Sequence, residues 1–145
     1  AVVIYASIYG NTAQMADHIA RRIAEAGVRD IRVYDVSKTH VSYLISEIWR
    51  CRGVLLGSCA YNTQMFPLME NLTRDLLHAG PKDRLLGVFG TYSWNGGGVK
   101  NLNAFAEQIG WETVAPWPEI LGRPTCEKYA ACDALADAMA CRLKK

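Results

Sequence analysis

No apolar run in these 145 residues approaches the roughly 20 needed to cross a bilayer as a helix, and no signal peptide precedes the first strand pattern. Membrane partners are therefore not expected, and a cytoplasmic location is. Cys-x-x-Cys pairs are missing too. Five cysteines, an odd number, fit reduced thiols better than a disulfide framework, and Cys51, Cys126, Cys132 and Cys141 read as packing residues. The three histidines stand apart, without metal-ligand spacing. No Ser-His-Asp set, paired carboxylate or Cys-His nucleophile is evident, so neither a metal site nor catalysis by side chains is expected. Lysine and arginine are scattered and the net charge is +2, which gives no nucleic-acid surface. Repeats, linkers and low-complexity segments are also lacking. With half its residues apolar and about a fifth charged, residues 1–145 read as one domain large enough to bury a core. The chain opens on Ala1 and enters its first strand at once. Methionine removal or excision from a longer polypeptide would each account for that start.

What is present is organised around Val2 to Thr12. An apolar run, Val2-Val3-Ile4-Tyr5-Ala6, gives way to Ser7-Ile8-Tyr9-Gly10-Asn11-Thr12, and apolar residues then resume at helical spacing in Met15, Ala16, Ile19 and Ile23. A buried strand, a tight turn and a helix follow from that pattern. The first N–H groups of a helix have no internal partners, so such a junction attracts anions, and Gly10 lets backbone approach a ligand closely. The loop holds no lysine, which excludes a Walker-type phosphate loop, and its single glycine fails the dinucleotide fingerprint. A neutral cradle for a terminal phosphate fits, built from the Ser7 and Thr12 hydroxyls, the Asn11 amide and main-chain N–H groups. An ordinary turn capped by Thr12 fits the same residues.

The rest of the chain alternates strands and helices. Ile31 to Val36 alternates like a strand; Val41, Leu44, Ile45 and Ile48 mark a helix. Gly53 to Gly57 is a short apolar strand, followed by a helix through Leu72 and Leu76 that stops at Gly80-Pro81. Leu85 to Phe89 repeats the buried-strand pattern, and Val99, Leu102 and Ile109 give a fourth helix. Thr113 to Leu121 is a weaker strand, suited to an edge because Pro116 and Pro118 lack donors, and a last helix carries Tyr129 to Leu143. Five strands in strict alternation with helices imply a parallel sheet covered on both faces.

Ligands of such a sheet bind beyond the carboxyl ends of its strands. The loop after the third strand, Ser58 to Pro67, is longer than a helix connection needs. The one after the fourth, Gly90 to Gly98, sets Tyr92 and Trp94 beside three glycines. Aromatics flanked by flexible backbone suit a flat ligand stacked between rings, although a packed aromatic under a glycine turn is also compatible.

On these residues the chain resembles the flavodoxins: Ser7-Ile8-Tyr9-Gly10-Asn11-Thr12 is similar to their Ser/Thr-x-Thr/Tyr-Gly-Asn-Thr phosphate loop, and the five-fold alternation matches their element order. More narrowly, Gly57-Ser58 to Phe66-Pro67 and Tyr92-Ser93-Trp94-Asn95-Gly96-Gly97 look like loops of the FMN-binding domain of flavodiiron proteins. Cys59, Ala60, Ser93 and Asn95 depart from that pattern. The resemblance implies an α/β, flavodoxin-like three-layer α/β/α sandwich with a five-stranded parallel sheet in the order 2-1-3-4-5, and FMN as cofactor. Ser7, Ile8, Tyr9, Gly10, Asn11 and Thr12 would hold the phosphate. Ser58, Cys59, Ala60, Tyr61 and Asn62 would line the ribityl chain and one ring edge. Thr91, Tyr92, Ser93, Trp94, Asn95, Gly96 and Gly97 would hold the other edge, with Trp94 or Tyr92 against a ring face.

The function implied is an electron-transfer domain relaying electrons through the flavin to a di-iron site that reduces oxygen or nitric oxide. That site would lie in a partner domain, since its ligands are not found in this chain, and any homo-oligomer would belong to a full-length parent. A free-standing flavodoxin is the alternative, set back by the positive net charge, and a cofactor-free interaction module is a third. In flavodoxins a loop glycine beside the flavin N5 lets a peptide turn over to accept the N5–H bond after the first reduction step. Ser58 to Asn62 contains no glycine, which implies that the two reduction steps lie close together or are only modestly separated.

Overall fold

Val2, Val3 and Ile4 are each fully buried, which only a strand covered on both faces allows, and β1 (Val2–Ala6) accordingly sits inside the sheet. The structure, a computed structural model, describes residues 1–7, 10–61, 64–65, 67–92, 98–121 and 127–144. After β1 come α1 (Asn11–Glu25), β2 (Arg32–Asp35), α2 (Val41–Arg50), β3 (Gly53–Tyr61), β4 (Gln64–Met65), α3 (Pro67–Ala79), β5 (Leu85–Tyr92), α4 (Gly98–Ile109), β6 (Glu112–Thr113), β7 (Glu119–Leu121) and α5 (Tyr129–Leu143). The strand path is β2-β1-β3-β5, and β6 and β7 both lie parallel on β5. With β5 as the fourth strand and β6 and β7 as one interrupted fifth, this is the expected 2-1-3-4-5 order.

Alternate residues of the inner strands feed two cores, one on each face. Ile4, Val54, Leu56 and Val88 pack with Leu44, Ile48, Leu72 and Leu102 of α2, α3 and α4. Val3, Leu55 and Phe89 pack with Met15, Ile19, Leu135 and Met139 of α1 and α5. At about 25 cal/mol per Å² of apolar surface removed from water, these two layers are the main source of stability. Polar links across α1 and α5 add register: Arg22 donates to both carboxylate oxygens of Asp137 (2.9 and 3.1 Å), and His18 meets Asp133 at 2.6 Å while stacking on Tyr129.

Three strands differ from the sequence expectation, and so does one cysteine. The fifth strand is split, because Pro116 and Pro118 cannot donate to the ladder. Val114 N–H still donates to the Leu86 carbonyl at 2.8 Å and the Pro118 carbonyl accepts from Gly90 N–H at 3.0 Å, so only residues 115–117 leave the ladder, and the Trp117 indole N–H closes the detour on the Val114 carbonyl at 2.9 Å. β3 does not end at Gly57 but runs on to Tyr61 and turns back, pairing Ala60 with Met65 and Tyr61 with Gln64 in an antiparallel arm. β5 likewise continues past Phe89 to Tyr92. The thiols of Cys51 and Cys132 are buried, as expected of packing residues, but Cys141 lies on the exposed side of α5, and Cys126 lies outside the described residues.

Candidate cofactor site

At the end of β1 the chain turns through Gly10, which takes φ +86° and ψ −6°, a left-handed conformation costly for a residue with a Cβ. The Gly10 N–H donates to Ser7 Oγ at 3.0 Å, and the Gly10 carbonyl accepts the first helical bond, from Gln14 N–H at 3.0 Å. Gly10 is therefore the residue that begins α1. Among the described residues no side chain caps the helix and no acidic residue lies in its first turn, so none of them neutralises the positive end of the helix dipole. Thr12 does not cap the turn. It is fully buried in the first turn, and its hydroxyl meets that of Thr91 at 2.7 Å. Burial, with Asp35 and Asp17 nearby, raises the pKa of the Tyr5 phenol in β1 above its ordinary value.

Strand register brings the other two segments to the same edge. Ala6 of β1, Ser58 of β3, Gly90 of β5 and Glu119 of β7 form one row, and Cys59, Thr91 and Ile120 the next. Ser58 is fully buried and donates its hydroxyl to the Cys59 carbonyl at 2.9 Å. Its side chain is turned inward. Gly90, which the sequence reading passed over, is what allows the close approach: a Cβ there would stand 2.7 Å from the Ser58 carbonyl oxygen. A glycine inside an apolar strand pattern was the available signal.

The structure thus gathers Ser7, Gly10, Asn11 and Thr12 beside Thr91, with Ser58 and Cys59 in the adjoining strand. Ala60, Tyr61 and Tyr92 fall at the ends of β3 and β5. Ile8, Tyr9, Asn62, Ser93, Trp94, Asn95, Gly96 and Gly97 lie outside the described residues.

A family model described as Flavodoxin matches residues 3–139. The chain belongs to the flavodoxin family. FMN is the cofactor of that family, the group the resemblance implied. Among curated relatives, this flavodoxin domain is 31% identical over 113 residues to an anaerobic nitric oxide reductase flavorubredoxin of Vibrio vulnificus, aligned over 77% of this chain and 23% of the relative. The chain therefore spans about a quarter of the length of the curated relatives it matches. Among solved structures it is similar to the Flv1 flavodiiron core from Synechocystis sp. PCC6803, with a TM-score of 0.91 and 26% identity over 99% of this chain and 35% of that one. It is also similar to a flavodoxin from the domain Archaea, with a TM-score of 0.88 and 25% identity over 99% and 98%. The described residues of this flavodoxin domain fit the phosphate end of FMN. Among the described residues no side chain caps the α1 N-terminus, the Ser7 hydroxyl stands beside it, no first-turn carboxylate repels an anion, and a Cβ placed on Gly10 would meet nothing within 4 Å beyond its chain neighbours.

Proposed function

We propose that this domain binds FMN at the carboxyl edge of β1, β3 and β5 and serves electron transfer in a longer flavodiiron-type chain, feeding a di-iron site that reduces oxygen or nitric oxide. The observation that carries the reading is the match to flavorubredoxins named as nitric oxide reductases, over less than a quarter of their length. In this reading Ser7 and the first-turn N–H groups of α1 hold the phosphate, and the ends of β3 and β5 border the ring. Bound FMN supplies the one- and two-electron chemistry, while the protein supplies orientation and a neutral, hydroxyl-lined phosphate seat. Among the described residues no group of three or more His, Cys, Asp or Glu side chains could hold a metal ion, so the reading places the di-iron site in another part of the parent. A free-standing electron carrier is the second reading, favoured by the archaeal flavodoxin, which matches over 98% of its own length.

Titration of the purified chain with FMN, riboflavin and FAD tests the cofactor and its seat. FMN should bind tightest, because each charge-assisted bond to a phosphate is worth roughly 1.5–3 kcal/mol. Equal affinities for FMN and riboflavin would refute the phosphate seat. For the relay, nitric oxide or oxygen consumption by the full-length parent should vanish when FMN is stripped and return on its addition.

A further inference from the structure

Two hydroxyls 79 residues apart in sequence share a 2.7 Å hydrogen bond beneath the α1 N-terminus: Thr12 Oγ1, in the first turn of the helix, and Thr91 Oγ1, near the end of β5. Thr12 is fully buried and Thr91 is 5% exposed, so water does not compete for this bond. At 2.7 Å it has the length of a full-strength O–H···O bond. Each threonine hydroxyl has one proton to give and can accept two bonds. One of the two protons lies between the oxygens; if Thr91 gives it, Thr12 keeps its own for another acceptor and Thr91 has none left for a ligand. The turn is thereby held from two sides. Ser7 Oγ fixes Gly10 from the end of β1, and Thr91 fixes Thr12 from β5. β5 is itself held against β3 through the Cys59–Thr91 pairing and the close approach at Gly90.

We propose that Thr91 is a positioning residue for the phosphate end of FMN, which rests on the cofactor reading above: its hydroxyl donates to Thr12 and sets the first-turn N–H groups of α1 where the phosphate meets them, rather than bonding the ring edge. Thr91→Val keeps the side-chain volume and removes the hydroxyl. It should weaken FMN by about tenfold, the scale of one lost hydrogen bond, and leave riboflavin within about twofold, while Thr91→Ser restores FMN binding. A loss shared equally by FMN and riboflavin, or no loss for either, would overturn the assignment. A merely structural contact would lower the stability of the free protein without moving the ratio of the two affinities. Should Thr91→Val not fold, Thr91→Cys, which keeps the volume but weakens the donor, is read in the same way. Equal FMN and riboflavin affinities in the unmodified chain would overturn the phosphate seat itself, a failure seen before any variant is made and so distinct from that of Thr91.

Discussion

Phe89 lies so close across Gly57, its partner in the neighbouring strand, that a Cβ on Gly57 would stand 2.1 Å from the ring carbon Cε2. Phe89 is fully buried among α1 and α5 residues, so the ring has little room to swing away. Overpacking of this kind costs roughly 1–3 kcal/mol, and Gly57→Ala should destabilise by about 2 kcal/mol in urea denaturation with an unchanged slope. Since Ser58 follows directly, FMN binding should weaken too. An alanine variant as stable as the parent would show that the ring finds another rotamer.

Gly10→Ala isolates a different cost. Beyond its chain neighbours, no described heavy atom lies within 4 Å of the added Cβ, so the penalty is conformational, from holding φ at +86°. That is worth about 1 kcal/mol for alanine and less for asparagine, which tolerates this region better. The order Gly, Asn, Ala should appear both in melting temperature and in FMN affinity. An alanine variant that binds FMN as well as glycine does would break the link between this turn and the phosphate seat.

Acid sensitivity should centre on Glu47. It is the one buried carboxylate among the described residues, and it accepts from Arg50 Nη2 at 2.8 Å, Arg50 Nε at 3.3 Å and the Tyr34 hydroxyl at 3.2 Å. The Arg50 hydrogen bond, ahead of the Tyr34 bond, holds its carboxyl below the ordinary value of 4.5. The unfolded chain therefore takes up its proton first as pH falls. The stabilisation is complete above that ordinary value and is lost as pH drops through the lower folded one. Glu47→Gln should be less stable than the parent at neutral pH, and the difference should shrink in urea titrations below pH 4.5. A constant difference across that range would assign the effect to packing.

Thiol chemistry separates the cysteines. Burial, with Asp133 adjacent, pushes the Cys132 thiol up to about 12, whereas Cys141 is exposed on α5. Brief alkylation of the native protein followed by peptide mapping should label Cys141 and leave Cys132 intact until the chain is unfolded. Early labelling of Cys132 would mean that α5 detaches readily from α1.

The sheet was legible because its inner strands are wholly apolar and its helices switch period cleanly, as at Ala6 to Met15. The extension of β3 was not: Ser58-Cys59-Ala60-Tyr61 is small and polar enough to read as loop, and only pairing with β1, β5 and β4 makes it strand. The break between β6 and β7 was half visible, since the prolines marked a weak edge without showing that the chain leaves the ladder and returns. The junction of β1, the Gly10 turn and α1 was readable from Ser7 to Thr12 because a strand-to-helix junction is local. The Thr12–Thr91 bond was not, because no local pattern connects residues 79 apart.

The extended β3 bears on how electrons are taken up. A peptide within 58–61 that turned over toward the flavin N5 would have to leave a ladder in which Ser58 is paired with Ala6 and Gly90, Cys59 with Thr91, Ala60 with Met65 and Tyr61 with Gln64. Giving up one such bond costs about 0.5–1.5 kcal/mol, and positive φ without glycine adds roughly 1 kcal/mol. Both oppose the rearrangement that would favour the first reduction step over the second. At 1.4 kcal/mol per tenfold, the penalty is one to two powers of ten, or about 60–120 mV for one electron. A redox titration of the FMN-loaded domain should therefore give overlapping one-electron steps, as suits delivery to a multi-electron reductase. Replacing Ala60 with Gly should remove part of the penalty and move the steps apart. Steps already well resolved in the parent, with the first at the higher potential, would instead favour a free one-electron carrier.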